Sequence, residues 1–547
     1  MVEGHTGRAG HAPLSAFSRE AALSRLASEQ FDLLVVGGGI TGSGIAREAA
    51  LRGLRVALVE ARDFAGGTSS RSTRLIHGGL RYLRQGEVRL VREAVRERAL
   101  LRQMAPHLVH PLPFLFPVYR KDPDALLAVR LGIGLYEKLG GLPLRSRDLL
   151  LNRQDVLEAM PLLRSDGLQG GARYEDALTD DARLTLAVAQ GADAAGAAVA
   201  NYCRALRYLT SEDGTARGAE VRDEESGDVF LVLAARVVVA VGPWTDAERP
   251  GSPPLLRRTK GVHLAFTRQS LPIASACVLR GPDGRLMFAI PDGLVAYIGT
   301  TDTDVDSAEA DEITPEDARY ILDAAGRAFP GAGVDAAAVI GAWAGVRPLV
   351  RSRPGAPPSR TSRDYRLVSQ GNGISYVAGG KLTAFRAMAE RIVDTIFPAT
   401  RSAEARARSR SPLPGGEVPL PTAEELHRLS RSQSIPATLL ARELAPYGCR
   451  APSLTEGLPP GRAGTTADMR LTRMRLRYAV RAEMALHLTD VLWRRTQFLR
   501  FGGRGARAGI APLGAEMAEL LAWSDVRQAA EVAAAERSWD AMFRWRR

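Results

Sequence analysis

Cysteine is nearly absent: three in 547 residues, Cys203, Cys277 and Cys449, far apart in the chain. An odd, scattered set excludes a disulfide framework, contains no CxxC pair and has no metal-ligand spacing. A reducing compartment and no resident metal are therefore expected. Aromatics are sparse at 6 %. Long apolar runs are missing too. No stretch approaches the roughly 18 uncharged apolar residues of a membrane-spanning helix, and residues 1–30 hold no apolar core of signal-peptide length. The nearest candidate, 125–139 (ALLAVRLGIGLYEKL), is interrupted by Arg130, Glu137 and Lys138. It reads as a core-facing helix, with an amphipathic surface helix as the alternative. Acids are in deficit, 61 Asp and Glu against 73 Lys and Arg, for a net charge of +12. The excess concentrates between Arg462 and Arg507, with eleven arginines and three acids. No nucleic-acid motif accompanies it, so an anionic membrane surface, an anionic substrate or a compositional bias towards arginine is left to explain it.

Glycine, by contrast, is abundant at 54 residues, and its placement is informative. Residues 31–60 read FDLLVVGGGITGSGIAREAALRGLRVALVE. An apolar run ends in Gly37-Gly-Gly39-Ile-Thr-Gly42, a helical pattern follows, and a second apolar run stops on Glu60. Strand, glycines, helix, strand and acid within 30 residues form a dinucleotide-binding unit. The glycines allow a tight turn, a pyrophosphate sits on the helix N-terminus, and the acid accepts hydrogen bonds from a ribose.

Three later segments decide which dinucleotide is held. Thr68, Ser69 and Ser70 open a hydroxyl-rich loop running through His77 and Gly78 to Tyr82. Val239-Ala-Val-Gly242-Pro-Trp244 ends a strand on a glycine. Gly380-Lys381-Leu382-Thr383 closes another strand before a helix, whose N-terminus stabilises negative charge on a reduced ring. NAD enzymes usually need the first segment alone, whereas a cofactor touched by four distant segments points to FAD.

The chain is expected to be α/β. A Rossmann-like FAD-binding domain (about 31–105, 150–250 and 365–397) is interleaved with an antiparallel-sheet substrate domain (about 106–149 and 251–364). An N-terminal extension (1–30) precedes them. A Pro/Gly/Ser/Arg-rich linker (398–421) leads to a separate helical domain (422–547), whose longest helix is expected over Thr472 to Gln497.

From about Phe31 to Phe501 the chain resembles the FAD-dependent, respiratory glycerol-3-phosphate dehydrogenase family. GGGITGSGIAREAALRG, TSSRSTRLIHGGLRYL, DDARLTLA, VGPW, IGTTDTD, GVRPL, SRDY, GGKLTAFR and LWRRT all occur in that family's order. Glu48 stands where an aspartate is usual, Phe385 where tyrosine is usual, and Arg74 where lysine is common. The resemblance implies a glycine-oxidase-like flavoprotein architecture and oxidation of sn-glycerol 3-phosphate to dihydroxyacetone phosphate, with a hydride passing to FAD. It implies that Arg81, Tyr82 and Arg363 hold the substrate, as forked guanidinium groups suit a dianionic phosphate. Arg347 would polarise the oxygen that becomes the ketone. Lys381 would stabilise the reduced flavin. His263 is the candidate base, with His77 as the alternative and, more readily, a flavin-lining residue.

A quinone acceptor, a cytoplasmic protein peripheral on the inner membrane face, and a homodimer complete the expectations. The alternatives are a dioxygen-using oxidase of the same substrate, an amine or amino-acid oxidase, and a flavin-binding protein without turnover.

Overall fold

The computed structural model describes residues 14–79, 86–123, 125–139, 150–351, 365–417, 422–433, 435–455 and 467–547. Arg81, Tyr82 and Arg363 lie outside these residues.

Continuous apolar strands mark a sheet buried on both faces. Leu33–Val36, Val56–Val59 and Val237–Val239 are buried throughout. They run parallel in a six-stranded sheet ordered Tyr365–Ser369, Ile374–Gly379, Val237–Val239, Leu33–Val36, Val56–Val59, Ala198–Ala200. Only the edge strand Tyr365–Ser369 is antiparallel to its neighbour. The helices Ile40–Leu51, Asp181–Ala194 and Phe385–Ile396 pack on one another beside it. Gly44 makes that contact close, since a Cβ there would lie 2.9 Å from the Phe385 ring.

A second, ten-stranded sheet is mostly antiparallel, and its membership crosses the boundaries expected from sequence. Its two longest strand pairs are Leu256–Thr267 with Val339–Val350 and Val109–Tyr119 with Leu168–Thr179, both antiparallel. Leu75–Ile76, Leu150–Leu151 and Leu168–Thr179, placed by sequence in the nucleotide domain, belong here. One pairing, Ala276–Arg280 on Val109–Tyr119, is parallel. A Gly170-Gly171 pair lies inside the strand Leu168–Thr179. A Cβ on Gly171 would meet the Phe116 carbonyl at 2.7 Å, so glycine lets the strands approach.

Two further expectations are corrected. The segment 398–421 is not a free linker over its described part. Ala403–Ser409 is helical and capped by Ser402, Leu413 is fully buried, and Arg47 donates to the Ser409 and Ser411 carbonyls. The long C-terminal helix runs Ala467–Ala482 and then stops. Met484 adopts a positive φ of 48°, and a π-helical turn follows at Asp490–Arg495. Asp490 takes the Leu486 and His487 amides, which lack helical partners at the break.

The helical region is joined closely to the rest. Arg183 pairs with Glu483 at 2.7 Å, and His487 bridges Glu225 and Glu531. Trp545 returns to the core beneath the ten-stranded sheet. The N-terminal helix Arg19–Ser28 is likewise docked, with Arg19 buried against Asp223 at 2.6 Å. Among the described residues no helix is long and apolar enough to cross a membrane, and no side-chain cluster could hold a metal ion.

Candidate functional site

Parallel strands bind ligands beyond their carboxyl ends. Here those ends are Val36, Val59, Val239 and Gly379, and the loops leaving them enclose a cavity of about 460 Å³.

The glycine turn is built for close approach. Gly37 has φ +111°, and a Cβ there would lie 2.7 Å from the Ala240 carbonyl oxygen. A Cβ on Gly42 would lie 1.8 Å from the oxygen of Gly37, so the helix could not sit on its own turn. The helix N-cap, Gly39, supplies no side chain to the first amides. Ser69 Oγ accepts from Ile40 N at 2.9 Å, which brings the hydroxyl-rich loop against that N-terminus. Glu60 accepts from Gly38 N at 2.6 Å and from Arg62 N at 2.9 Å. Burial raises its pKa against those two hydrogen bonds.

Gly37, Gly39, Glu60, Thr68, Ser69, Gly242, Gly380, Lys381 and Leu382 line the cavity. Gly42, Ser70, His77, Gly78 and Thr383 are not among its lining residues and act from behind it. Thr383 Oγ1 accepts from His77 N at 3.1 Å and donates to the His77 carbonyl at 3.3 Å, latching two of the four segments together. Gly78 N is occupied by the Tyr136 hydroxyl at 2.7 Å, and its Cα faces Val95, so Gly78 belongs to the core side.

Sequence reasoning did not assign Arg62, Ser72, Asp181 and Glu309 to this lining. Trp244 closes VGPW, a motif recognised for its glycine. Its Nε1 donates to Glu309 at 2.9 Å, and Arg62 pairs with the same carboxylate at 2.7 Å. No spacing rule links residues 62, 244 and 309.

Arg347 and His263 stand on one face of the ten-stranded sheet. Thr259 pairs with Arg347, Gly261 with Gly345 and His263 with Trp343. Alternation puts all six on the same side. Glycine floors this face: a Cβ on Gly261 would meet Arg347 Nη2 at 2.1 Å, and one on Gly299 would meet the His263 ring at 2.2 Å. Arg347 donates to Thr300 Oγ1 at 2.6 Å and to the Thr301 carbonyl at 3.1 Å, and pairs with Asp302 at 3.3 Å. His263 stacks on Trp343 at 4.8 Å, and its Nε2 lies 3.0 Å from Thr73 Oγ1. Its Nδ1 has no partner among the described residues. Burial, then the Arg347 and Arg500 cations, hold His263 well below its ordinary pKa, so the ring is neutral. Both residues adjoin the cavity through their neighbours, since Pro348 and Ser72 line it.

The fit to FAD rests on these features: a glycine-rich helix N-terminus whose N-cap Gly39 carries no side chain, an acid ending the second strand, and a cavity lined by four segments. The family model described as FAD dependent oxidoreductase matches residues 32–386. That of the C-terminal domain of alpha-glycerophosphate oxidase matches residues 408–528. An aerobic glycerol-3-phosphate dehydrogenase of Staphylococcus haemolyticus (strain JCSC1435) is 34 % identical over 535 residues, 94 % of this chain and 95 % of that protein. One from Staphylococcus aureus (strain USA300) is 39 % identical over 389 residues, 70 % of each. The glycerol-3-phosphate dehydrogenase from Bacillus halodurans, solved with FAD, matches with a TM-score of 0.78 at 31 % identity, covering 97 % of this chain and 99 % of that one. A glycine oxidase from Geobacillus kaustophilus shares the fold, with a TM-score of 0.54 at 20 % identity over 69 % of this chain and 96 % of its own. The chain belongs to the aerobic glycerol-3-phosphate dehydrogenases of the FAD-dependent oxidoreductase family.

Proposed function

We propose that this protein oxidises the C2 alcohol of sn-glycerol 3-phosphate to the ketone of dihydroxyacetone phosphate and passes the electrons to a quinone. The observation that carries this reading is Arg347 and a neutral His263 sharing one sheet face beside the FAD cavity. FAD, when bound, supplies the two-electron acceptor for the C2 hydride. The chain supplies the rest. Arg347, its charge held beside Asp302, binds and polarises the C2 oxygen. His263 takes the hydroxyl proton through the Thr73 hydroxyl, its hydrogen-bond partner. Lys381, lining the cavity, would supply positive charge to a reduced flavin held there. Arg81, Tyr82 and Arg363 are proposed, by resemblance, to grip the phosphate.

Anaerobic titration of the yellow holoenzyme with glycerol 3-phosphate should bleach the flavin, and a ubiquinone analogue should restore the colour. An unbleached flavin would sink the reading. The glycerophosphate oxidase name of the C-terminal family model favours a second reading, dioxygen as acceptor. Rapid recolouring by air with one peroxide per turnover would establish it.

The same proposal includes a peripheral membrane contact, and here the arginine-rich segment is a poor candidate. Arg475 pairs with Glu443, Arg477 with Glu516, and Arg494 and Arg495 with Asp63, all facing inward. The helix Leu126–Leu139 is better suited. It buries Val129, Ile133 and Tyr136 yet exposes Leu127, Leu131 and Leu135, one turn apart. Exposed Lys121 and Lys138 flank this stripe. A Leu127→Gln, Leu131→Gln, Leu135→Gln variant should stay in solution with phosphatidylglycerol vesicles that sediment the parent protein, while dye-linked turnover is retained. Undiminished sedimentation would exclude this face.

A further inference from the structure

We propose that the C-terminal helical domain is a working part of the catalytic site, and that Arg500 is the positioning residue through which it acts. The proposal deepens the function above and rests on His263 as the base.

Arg500 leaves the short helix Phe498–Phe501 and is 1 % exposed, among the largest fully buried side chains of the protein. Its backbone is pressed against the substrate sheet, where a Cβ on Gly341 would lie 1.8 Å from the Arg500 carbonyl oxygen. Its Nη2 donates to the carbonyl of Ser70, the residue after Ser69, whose hydroxyl meets the helix N-terminus at the FAD cavity. Its guanidinium lies 4.8 Å from the ring of Trp343, on which His263 stacks within 9° of parallel. One side chain from the helical domain thus touches both the loop that lines the FAD cavity and the ring on which the proposed base stacks.

The loop it holds is fixed at neighbouring points. Asp181 accepts from Ser72 N at 2.8 Å, Trp343 Nε1 donates to the Ser72 carbonyl at 3.1 Å, and the Tyr297 hydroxyl donates to the Thr73 carbonyl at 3.1 Å. A carbonyl deep in a protein needs a donor, and a guanidinium is the strongest available.

Charge adds a second role. The groups around His263 are Arg347 on the adjacent strand, Arg500, and the neutral Thr73, Tyr297 and Trp343. Around Arg500 stand Asp181, Arg74, Asp180 and Tyr297. A cation near an imidazole disfavours its protonated form, which keeps the base available at lower pH.

The test compares the holoenzyme with Arg500→Met, Arg500→Lys and His263→Gln, reading FAD affinity and the pH profile of kcat. Methionine retains apolar volume beside Trp343 and removes the charge. Arg500→Met should lower kcat about tenfold and move the acid limb of the profile upward by about one pH unit. A limb coincident with that of the parent would overturn the proposal. Arg500→Lys retains charge but not the fork, so the limb should stay while FAD binds about tenfold more weakly. Unchanged FAD affinity and kcat in this variant would overturn the proposal even if the methionine variant fails to fold. His263→Gln separates the two ideas: a limb that persists there shows that another group is the base, and FAD affinity then decides the part played by Arg500.

Discussion

Replacing Asp63 by alanine is expected to lower the unfolding free energy by about 3 kcal/mol at neutral pH. Asp63 is fully buried, three residues after Glu60, and its carboxylate faces two arginines of the helical domain. Arg495 donates to both oxygens, at 2.6 and 2.8 Å, Arg494 makes a third contact, and Asn201 a fourth at 3.2 Å. Removing one member of a buried pair leaves uncompensated charge, which costs about 3–5 kcal/mol. Each arginine retains another acceptor, Asp490 for Arg494 and the Glu483 carbonyl for Arg495, which places the effect at the low end.

The pH dependence has a definite sign. Despite burial, the Arg495 and Arg494 cations hold Asp63 down at about 2, below the 3.8 of an unperturbed aspartate. Its stabilisation is therefore fully present above pH 4 and lost as the pH falls towards 2. Urea midpoints of the parent and Asp63→Ala should differ at pH 7 and converge in acid. Equal midpoints at pH 7 would show that the junction contributes little. Because this junction lies three residues after Glu60, which lines the FAD cavity, weakened FAD retention should accompany the loss of stability.

What could be foreseen from sequence follows from the range over which each signal acts. The dinucleotide unit was legible because its parts, Gly37, Gly39, Gly42 and Glu60, lie within one βαβ connection and each answers a local steric or electrostatic need. Gly380 and Thr383 were legible for the same reason, as a strand end meeting a helix start. The strand Leu168–Thr179 was not, because its Gly170-Gly171 pair serves a neighbour some fifty residues away. The break after Ala482 was not, because no glycine or proline announces it and the demand comes from pairing Glu483 with Arg183, 300 residues distant. Pairing at long range likewise turned Arg475, Arg477, Arg494 and Arg495 inward, which favours neither the membrane-surface nor the substrate explanation of the local arginine excess, while Arg481 is exposed. Net charge counts residues without regard to facing: here Arg475 and Arg477 pair with acids of the helical region itself, and Arg494 and Arg495 neutralise the buried Asp63 across the junction.

Replacing Arg347 by alanine is expected to reduce kcat/KM for glycerol 3-phosphate by about 10²–10³-fold while leaving FAD bound. The guanidinium is aimed by Thr300, the Thr301 carbonyl and Asp302, so it needs little reorganisation when the C2 oxygen gains negative charge. Preorganised donors of this kind act chiefly in the transition state, so kcat should fall more than KM rises. FAD content should hold, as Arg347 is not among the cavity-lining residues. Arg347→Lys should recover part of the loss, since a single ammonium cannot reproduce the fork shared between Thr300 and Thr301. The floor beneath provides an independent check. A methyl group at position 261 would lie 2.1 Å from Arg347 Nη2, so Gly261→Ala should displace the cation and reproduce most of the Arg347→Ala defect without changing any charge. Stopped-flow flavin reduction under anaerobic conditions reads this step directly. Reduction at the parental rate in Arg347→Ala would remove Arg347 from the chemistry, and parental kinetics in Gly261→Ala alone would show that the arginine works without its glycine floor.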